Sequence, residues 1–428
     1  MANPSQDGTG PLFAADQLSI YGAYKTLLAG SKHIDVRGTG LHLVRTPGGE
    51  NMEPGSGQEN NSHTVVDDLE LNNIILDFTR PGRDPLRFDV HHLNAGPFER
   101  GKTARFDVAM TNSLPPGEVK AEGSIGPWIG DLGTYPVLGS YSFERANLGV
   151  FSDITGTLSS EGKFKGTVGQ IQVDAKVQVS DFQTKHSGHS VNLEGQFQAE
   201  VNGTNGDVLL RNSALSWEET TLLARGKITG PKGEGKTADL DLQVSHGRMQ
   251  DLTRIVMHSA STLEGPVVFR GRAVLPPDGG KFLKRIRFTT DFNIEKARFS
   301  NPTTQAKVNL LSKRARGDKG KDSELVYLDL KGHIDLFNGV ARFSNSTFTV
   351  PAAVVDFKGA CDVVRESLDL HGHLLMTATA SQAQSGFKSA LLKPLDPFFK
   401  NRKKGAGADI PVKMTGSFFK PQFGIDVP

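Results

Sequence analysis

The sequence predicts a mainly β protein: an antiparallel sheet wetted on one face, with a few short helices. Three observations carry that expectation. Apolar and polar residues alternate with period two along the whole chain, turn-forming residues recur about every 8–15 positions, and helical spacing is confined to three segments. Strands that are dry on one face and solvated on the other alternate in this way, whereas fully buried strands read as unbroken apolar runs.

The strands come first. Ile171, Val173, Ala175, Val177 and Val179 point one way, and Gln172, Asp174, Lys176 and Gln178 the other. Ile286, Phe288, Thr290, Phe292 and Ile294 alternate with Arg287, Thr289, Asp291, Asn293 and Glu295. Val326, Leu328 and Leu330, then Ile334 and Leu336, then Leu368, Leu370 and Leu374 continue the theme. Hairpin-like separators are Pro115-Pro116-Gly117, Ser160-Glu161-Gly162, Asn202-Gly203-Thr204-Asn205-Gly206, Pro276-Pro277-Asp278-Gly279-Gly280 and Asn338-Gly339. This spacing predicts roughly 25 strands, which in a single sheet at ~4.8 Å each would span on the order of 100 Å.

Helical spacing is found at 249–257, where Met249, Leu252, Ile255 and Val256 share a face, and at 303–313. A third segment, 381–399, places Phe387, Leu391, Leu395 and Phe398 on one side, continues to Phe399, and is kinked or divided at Pro394. It runs into Lys400, Arg402, Lys403 and Lys404, an order that suits a membrane-surface helix or a cap on the end of a sheet. A strand pair over 410–426 follows. Residues 47–63 and 314–323 read as polar loops, the second rich in Lys and Arg as a solvated loop is.

Composition excludes several functions. The 49 Lys+Arg nearly cancel the 47 Asp+Glu, so no field steers nucleic acid to the chain. Phe supplies 25 aromatics against 5 Tyr and 2 Trp, a bias toward dry apolar surface. The single cysteine, Cys361, rules out a disulfide framework and reads as a buried structural thiol. No apolar run approaches the ~20 residues needed to span a bilayer.

The run Gly230-Pro231-Lys232-Gly233-Glu234-Gly235-Lys236-Thr237 matches the phosphate-binding pattern G-x-x-x-x-G-K-[ST]. That chemistry needs a helix after the loop, whose N–H groups meet the phosphates, but Ala238 to Val244 alternates like a strand. It reads as a glycine-rich hairpin, and no nucleotide is expected. His91-His92, His186 with His189, and His371 with His373 lack the spacing of metal motifs, so no metal site is expected. With no nucleophile elbow and no recognisable acid–base constellation, the chain is expected to be neither an enzyme nor dependent on a cofactor.

The closing stretch (Leu391-Leu392-Lys393-Pro394-Leu395-Asp396-Pro397-Phe398-Phe399, then Ile410-Pro411-Val412-Lys413-Met414-Thr415-Gly416-Ser417 and Pro421 to Asp426) resembles the C-terminal region of the AsmA-like family, bacterial envelope proteins of the wider group that includes TamB. Earlier pieces fall in the order the resemblance requires: Phe13 to Leu18, Gly139 to Phe143, Gly156 to Gly162, Val201 to Asp207, Ala297 to Asn301 and Thr347 to Pro351. By that resemblance 1–46 ends an N-terminal portion and 64–313 and 324–380 form the sheet. Residues 381–404 are then a helical cap with its basic stretch, and 405–428 the terminal strand pair.

The resemblance implies an elongated, curled antiparallel sheet with a trough-like apolar face, along which larger relatives are thought to pass phospholipid between membranes. Candidate trough residues are Ile171, Val173, Val177, Ile286, Phe288, Phe292, Ile294, Leu328 and Leu330; Phe387 to Lys404 supply the membrane-surface or cap candidates. Implied partners are phospholipid or membrane, with outer-membrane proteins as further ones. The implied location is the periplasm, with an inner-membrane helix upstream of the polar start at Met1. The alternative is a structural factor that assists outer-membrane protein assembly by strand or loop contacts, without lipid.

Overall fold

The computed structural model describes residues 13–22, 31–45, 63–80, 83–99, 101–128, 131–151, 153–231, 235–277, 280–316, 324–376, 409–418 and 420–426. These residues form 24 strands and three short α-helices, the mainly β class that the alternation predicts, and the antiparallel sheet does not close on itself. The chain divides into two compact units. Unit 1 takes residues up to 182 with 192–214 and 225–238; unit 2 takes 183–191, 215–224 and everything from 239 onward.

In unit 1, β5 (His63–Arg80), β6 (Arg83–Gly96), β7 (Ala104–Ser113), β8 (Pro116–Ile125), β9 (Pro136–Asn147) and β10 (Ile154–Thr167) form an antiparallel meander. On its other side β5 is joined in parallel by β3 (Ser31–Thr39) and β4 (His42–Arg45), a departure from the all-antiparallel expectation. Alternation is the same for both orientations, so the sequence does not distinguish them. Asp77 on β5 is buried and bonded by Arg87 (2.9 and 3.0 Å) and His42 (2.8 Å), fastening β4, β5 and β6 on their polar side. The Arg87 guanidinium holds the Asp77 carboxyl below its usual range against the opposing effect of burial, with His42 assisting.

Ser160-Glu161-Gly162, expected to be a turn, lies inside β10. A β-carbon on Gly162 would come within 2.6 Å of the Ala175 β-carbon on β11 (Gln170–Thr184), so this glycine answers to packing between strands. The alternation of 171–179 holds in β11, with Ala175 and Val179 buried and Gln172, Asp174, Lys176 and Gln178 exposed.

Unit 2 continues the pattern with β17 (Pro266–Leu275), β18 (Arg287–Phe299), β19 (Leu328–Phe337), β20 (Val340–Val350), β21 (Ala353–Asp362), β22 (Ser367–Met376), β23 (Asp409–Ser417) and β24 (Pro421–Ile425), each antiparallel to the next. Asn338-Gly339 makes the tight turn between β19 and β20 with both residues at positive φ (50° and 76°), the conformation a two-residue hairpin requires. The expected helices at 249–257 and 303–313 are α1 (Met249–Val256) and, beyond a four-residue α2 (Phe282–Arg285) that the pattern did not predict, α3 (Pro302–Ala315). Ile286 therefore sits at the end of α2, and β18 begins one residue later.

Arg314, expected in a solvated loop, belongs with Lys313 to the last turn of α3. Lys313 is buried there, and burial pushes the Arg314 guanidinium pKa down. Among the described residues no helix is long and apolar enough to cross a membrane.

Candidate functional site: the apolar face of the sheet

In unit 1 the pairing register gathers one side chain from each strand into rows. Phe106, Gly123, Gly139 and Phe164 form one row; Val108, Ala121, Tyr141 and Gly162 form the next. The contact between Gly162 and Ala175 extends this face onto β11, where Ile171, Val173 and Val177 are half-buried. None of these positions carries a charge. The tip of the Phe164 ring rests on Gly139, at 2.6 Å from where a β-carbon would stand, and the Glu122 carbonyl lies closer still, so a β-carbon there would meet the backbone of the neighbouring strand.

Tyr141 supplies the polar atom, and its hydroxyl lies 3.0 Å from Ser160 Oγ, which donates to the Lys176 carbonyl (2.8 Å). The Tyr141 hydroxyl therefore donates to Ser160, and the pair satisfies itself within the sheet. Burial raises the Tyr141 pKa, partly countered by that hydrogen bond. Phe106, Val108, Tyr141 and Phe164 are all half-buried, although no α-helix of unit 1 lies among the described residues to cover them. For Phe106 and Val108 the alternation over Ala104–Met110 held the signal.

Unit 2 builds the same kind of face and then closes it. Val308, Leu311 and Ala315 of α3, with Met249 and Leu252 of α1, pack on Ile294 (3% exposed) and Leu328 (1%), with Phe292 and Leu330 beside them. Phe288 stacks edge-on against Phe269 at 5.7 Å. Of the proposed trough residues, then, Ile294 and Leu328 lie in a closed core, while Ile171, Val173 and Val177 lie on the half-buried face of unit 1.

Hydrogen bonds fix both covering helices. Asn301 caps α3, accepting from Thr303 N–H and Thr304 N–H (3.0 and 3.2 Å). Gln305 accepts from Phe299 N–H (2.7 Å) and donates to the Val326 carbonyl (2.8 Å), while Ser312 donates to the Pro351 carbonyl (2.9 Å). α1 is clasped by the turn between β13 (Val208–Trp217) and β14 (Thr220–Thr229): Asp251 accepts from Thr220 Oγ1 (2.8 Å) and Glu219 N–H (3.2 Å), and Trp217 Nε1 donates to the Asp251 carbonyl (3.1 Å).

The phosphate-loop match is followed by strand β15 (Thr237–Arg248), as the alternation predicts, and its Lys236 is 2.6 Å from Asp207, which also accepts Gly230 N–H (3.3 Å). The lysine that would meet phosphate closes a hairpin instead. The histidine pairs do not converge: His91 faces Thr111 (2.8 Å) and His92 faces Asp107 (2.7 Å), while His186 lies 3.7 Å from Glu366 and His189 bonds the His258 carbonyl (3.1 Å). Among the described residues no three His, Cys, Asp or Glu side chains are grouped to hold a metal.

Cys361 is buried on β21 against Ala341 and Leu370, and burial pushes its thiol pKa up to about 12. A thiol reagent at pH 8 is therefore expected to leave the folded protein unlabelled and to react fully in denaturant, as intact-mass measurement will show. Labelling of the native protein within minutes would contradict that burial.

Phe387, Leu391, Leu395, Phe398, Phe399, Lys400, Arg402, Lys403 and Lys404 lie outside the described residues. Comparison with protein families, with curated proteins and with solved structures finds no match for this chain.

Proposed function

We propose that this chain is a non-enzymatic envelope protein that holds phospholipid by its acyl chains on the apolar face of unit 1. The observation that carries this is the uncharged Phe106-to-Val177 face, half-buried and with no α-helix of unit 1 over it among the described residues. A half-buried apolar surface with no α-helix over it leaves room for an apolar occupant. An acyl chain needs no polar partner, and each methylene buried contributes about 0.8 kcal/mol. The resemblance of the closing stretch to AsmA-like proteins supplies the envelope setting and the phospholipid class.

The assembly-factor reading needs a long bare strand edge. Among the described residues β24, which pairs with β23, has five residues and begins at Pro421, features that blunt strand addition.

Native mass spectrometry of the purified chain is expected to show bound phospholipid. A diazirine phospholipid is expected to cross-link to peptides from 104–179 and to spare the helix-covered Ile294 and Leu328. Phe164→Asp should cut the cross-linking several-fold while circular dichroism stays unchanged. Absence of bound lipid together with cross-linking unaltered by Phe164→Asp would sink the proposal.

A further inference from the structure

We propose that His371 is a protonation-dependent pin on β24, tying that strand to β22 across the intervening β23. Its Nδ1 lies 2.7 Å from Asp426 Oδ2, just past β24, and its Nε2 lies 3.1 Å from Asp369 Oδ1 on its own strand. Carboxylates at both ring nitrogens require a donor at both, and only the imidazolium supplies two. The neutral ring keeps one N–H and must give up one carboxylate. The contact also skips a strand: His371 is registered opposite Lys413 of β23, whereas Asp426 belongs to the far side of β23, its N–H bonding the Pro411 carbonyl (3.0 Å).

The surrounding charges are Lys358 of β21 and Lys413 of β23, both opposite His371, with Asp369 and His373 on β22 and Asp426 after β24. His373 is engaged separately, with Asp409 at 3.0 Å, so it is no substitute for His371. Asp426 first and Asp369 second raise the His371 pKa above its ordinary value, against slight burial. A raised cationic pKa stabilises the pinned state fully below about pH 6.5 and loses that contribution as pH rises through the folded-state value. β24 is short and otherwise held by β23, by Ile425 packed against the core of unit 2 and by Lys307 over the Phe423 ring (5.8 Å), so local opening is where the loss should register.

The test is hydrogen exchange by mass spectrometry on peptides covering 409–426, corrected for intrinsic exchange rates, between pH 6 and pH 9. Protection of 421–426 is expected to fall roughly two- to fivefold with rising pH in the native protein, the scale of an exposed ion pair. In Asp426→Asn and in His371→Gln it should be low and flat, while His373→Gln keeps the native profile. A native profile that does not change with pH, or one that survives Asp426→Asn, overturns the proposal. Loss of the profile in His373→Gln alone would move the pin to the other histidine and overturn it as well.

Discussion

Replacing Leu328 with alanine is expected to destabilise unit 2 by about 3 kcal/mol, within the range for large-to-small changes in closed cores. Leu328 is 1% exposed, stands opposite Ala297 across the β18–β19 ladder, and lies in one cluster with Val326 and Val350. The site has few ways to collapse around the missing atoms. Ala297 is itself too small to fill the space, the strand neighbours are held by backbone hydrogen bonds, and α3 is bolted in place through Gln305 and Ser312. The measurement is urea unfolding followed by Trp217 fluorescence in a Trp128→Phe background, since Trp217 belongs to unit 2 and Trp128 to unit 1. Leu138→Ala on β9, where the side chain is 59% exposed, should cost under about 0.5 kcal/mol. Equal costs at the two sites would mean that the cover over Leu328 is absent in solution.

The same residues show what the sequence makes legible. Alternation reports which face of a strand is apolar, and β11, β18, β19 and β22 follow it. It is silent on what covers that face, so Ile171 and Leu328 read alike although one is half-buried in unit 1 and the other sealed beneath helices. Helical spacing at 249–257 and 303–313 located α1 and α3 but not the surface they would press on.

Strict alternation from Ile286 would also turn Lys296 inward. The structure avoids burying that cation with a bulge: Lys296 adopts φ 49°, its N–H bonds Asp329 (2.9 Å), and Ala297 takes the inward position instead. The left-handed backbone costs Lys296 about 1–2 kcal/mol, less than burying its cation would, and such a bulge leaves little trace in a single sequence. Glycine misled in a similar way at Gly162, because glycine marks both turns and tight strand packing, and only the neighbour at Ala175 decides between them.

Asp251→Ala is expected to cost about 2–4 kcal/mol, more than a helix-surface carboxylate should, because it strips two donors of their acceptor at a buried site. Asp251 lies in the first turn of α1, where the helix dipole already favours a negative charge. Its larger role is the clasp. Without the carboxylate, Thr220 Oγ1–H and Glu219 N–H face no acceptor, and Thr220, itself buried, must still accept the Arg248 N–H (2.9 Å) that leads into the helix. Thr220→Val should cost a similar amount, leaving the Arg248 N–H without its acceptor and Asp251 Oδ2 with the Glu219 N–H as its remaining donor of the two. The two changes break one network, so the double variant should fall short of their sum by on the order of 1–3 kcal/mol. Trp217 donates to the carbonyl of Asp251 and so reports on the same junction; each single variant should alter its emission before global unfolding, as α1 loosens. Additive costs with unchanged Trp217 emission would show that α1 is held by its apolar face alone, with Met249 and Leu252 sufficient to seat it on the sheet.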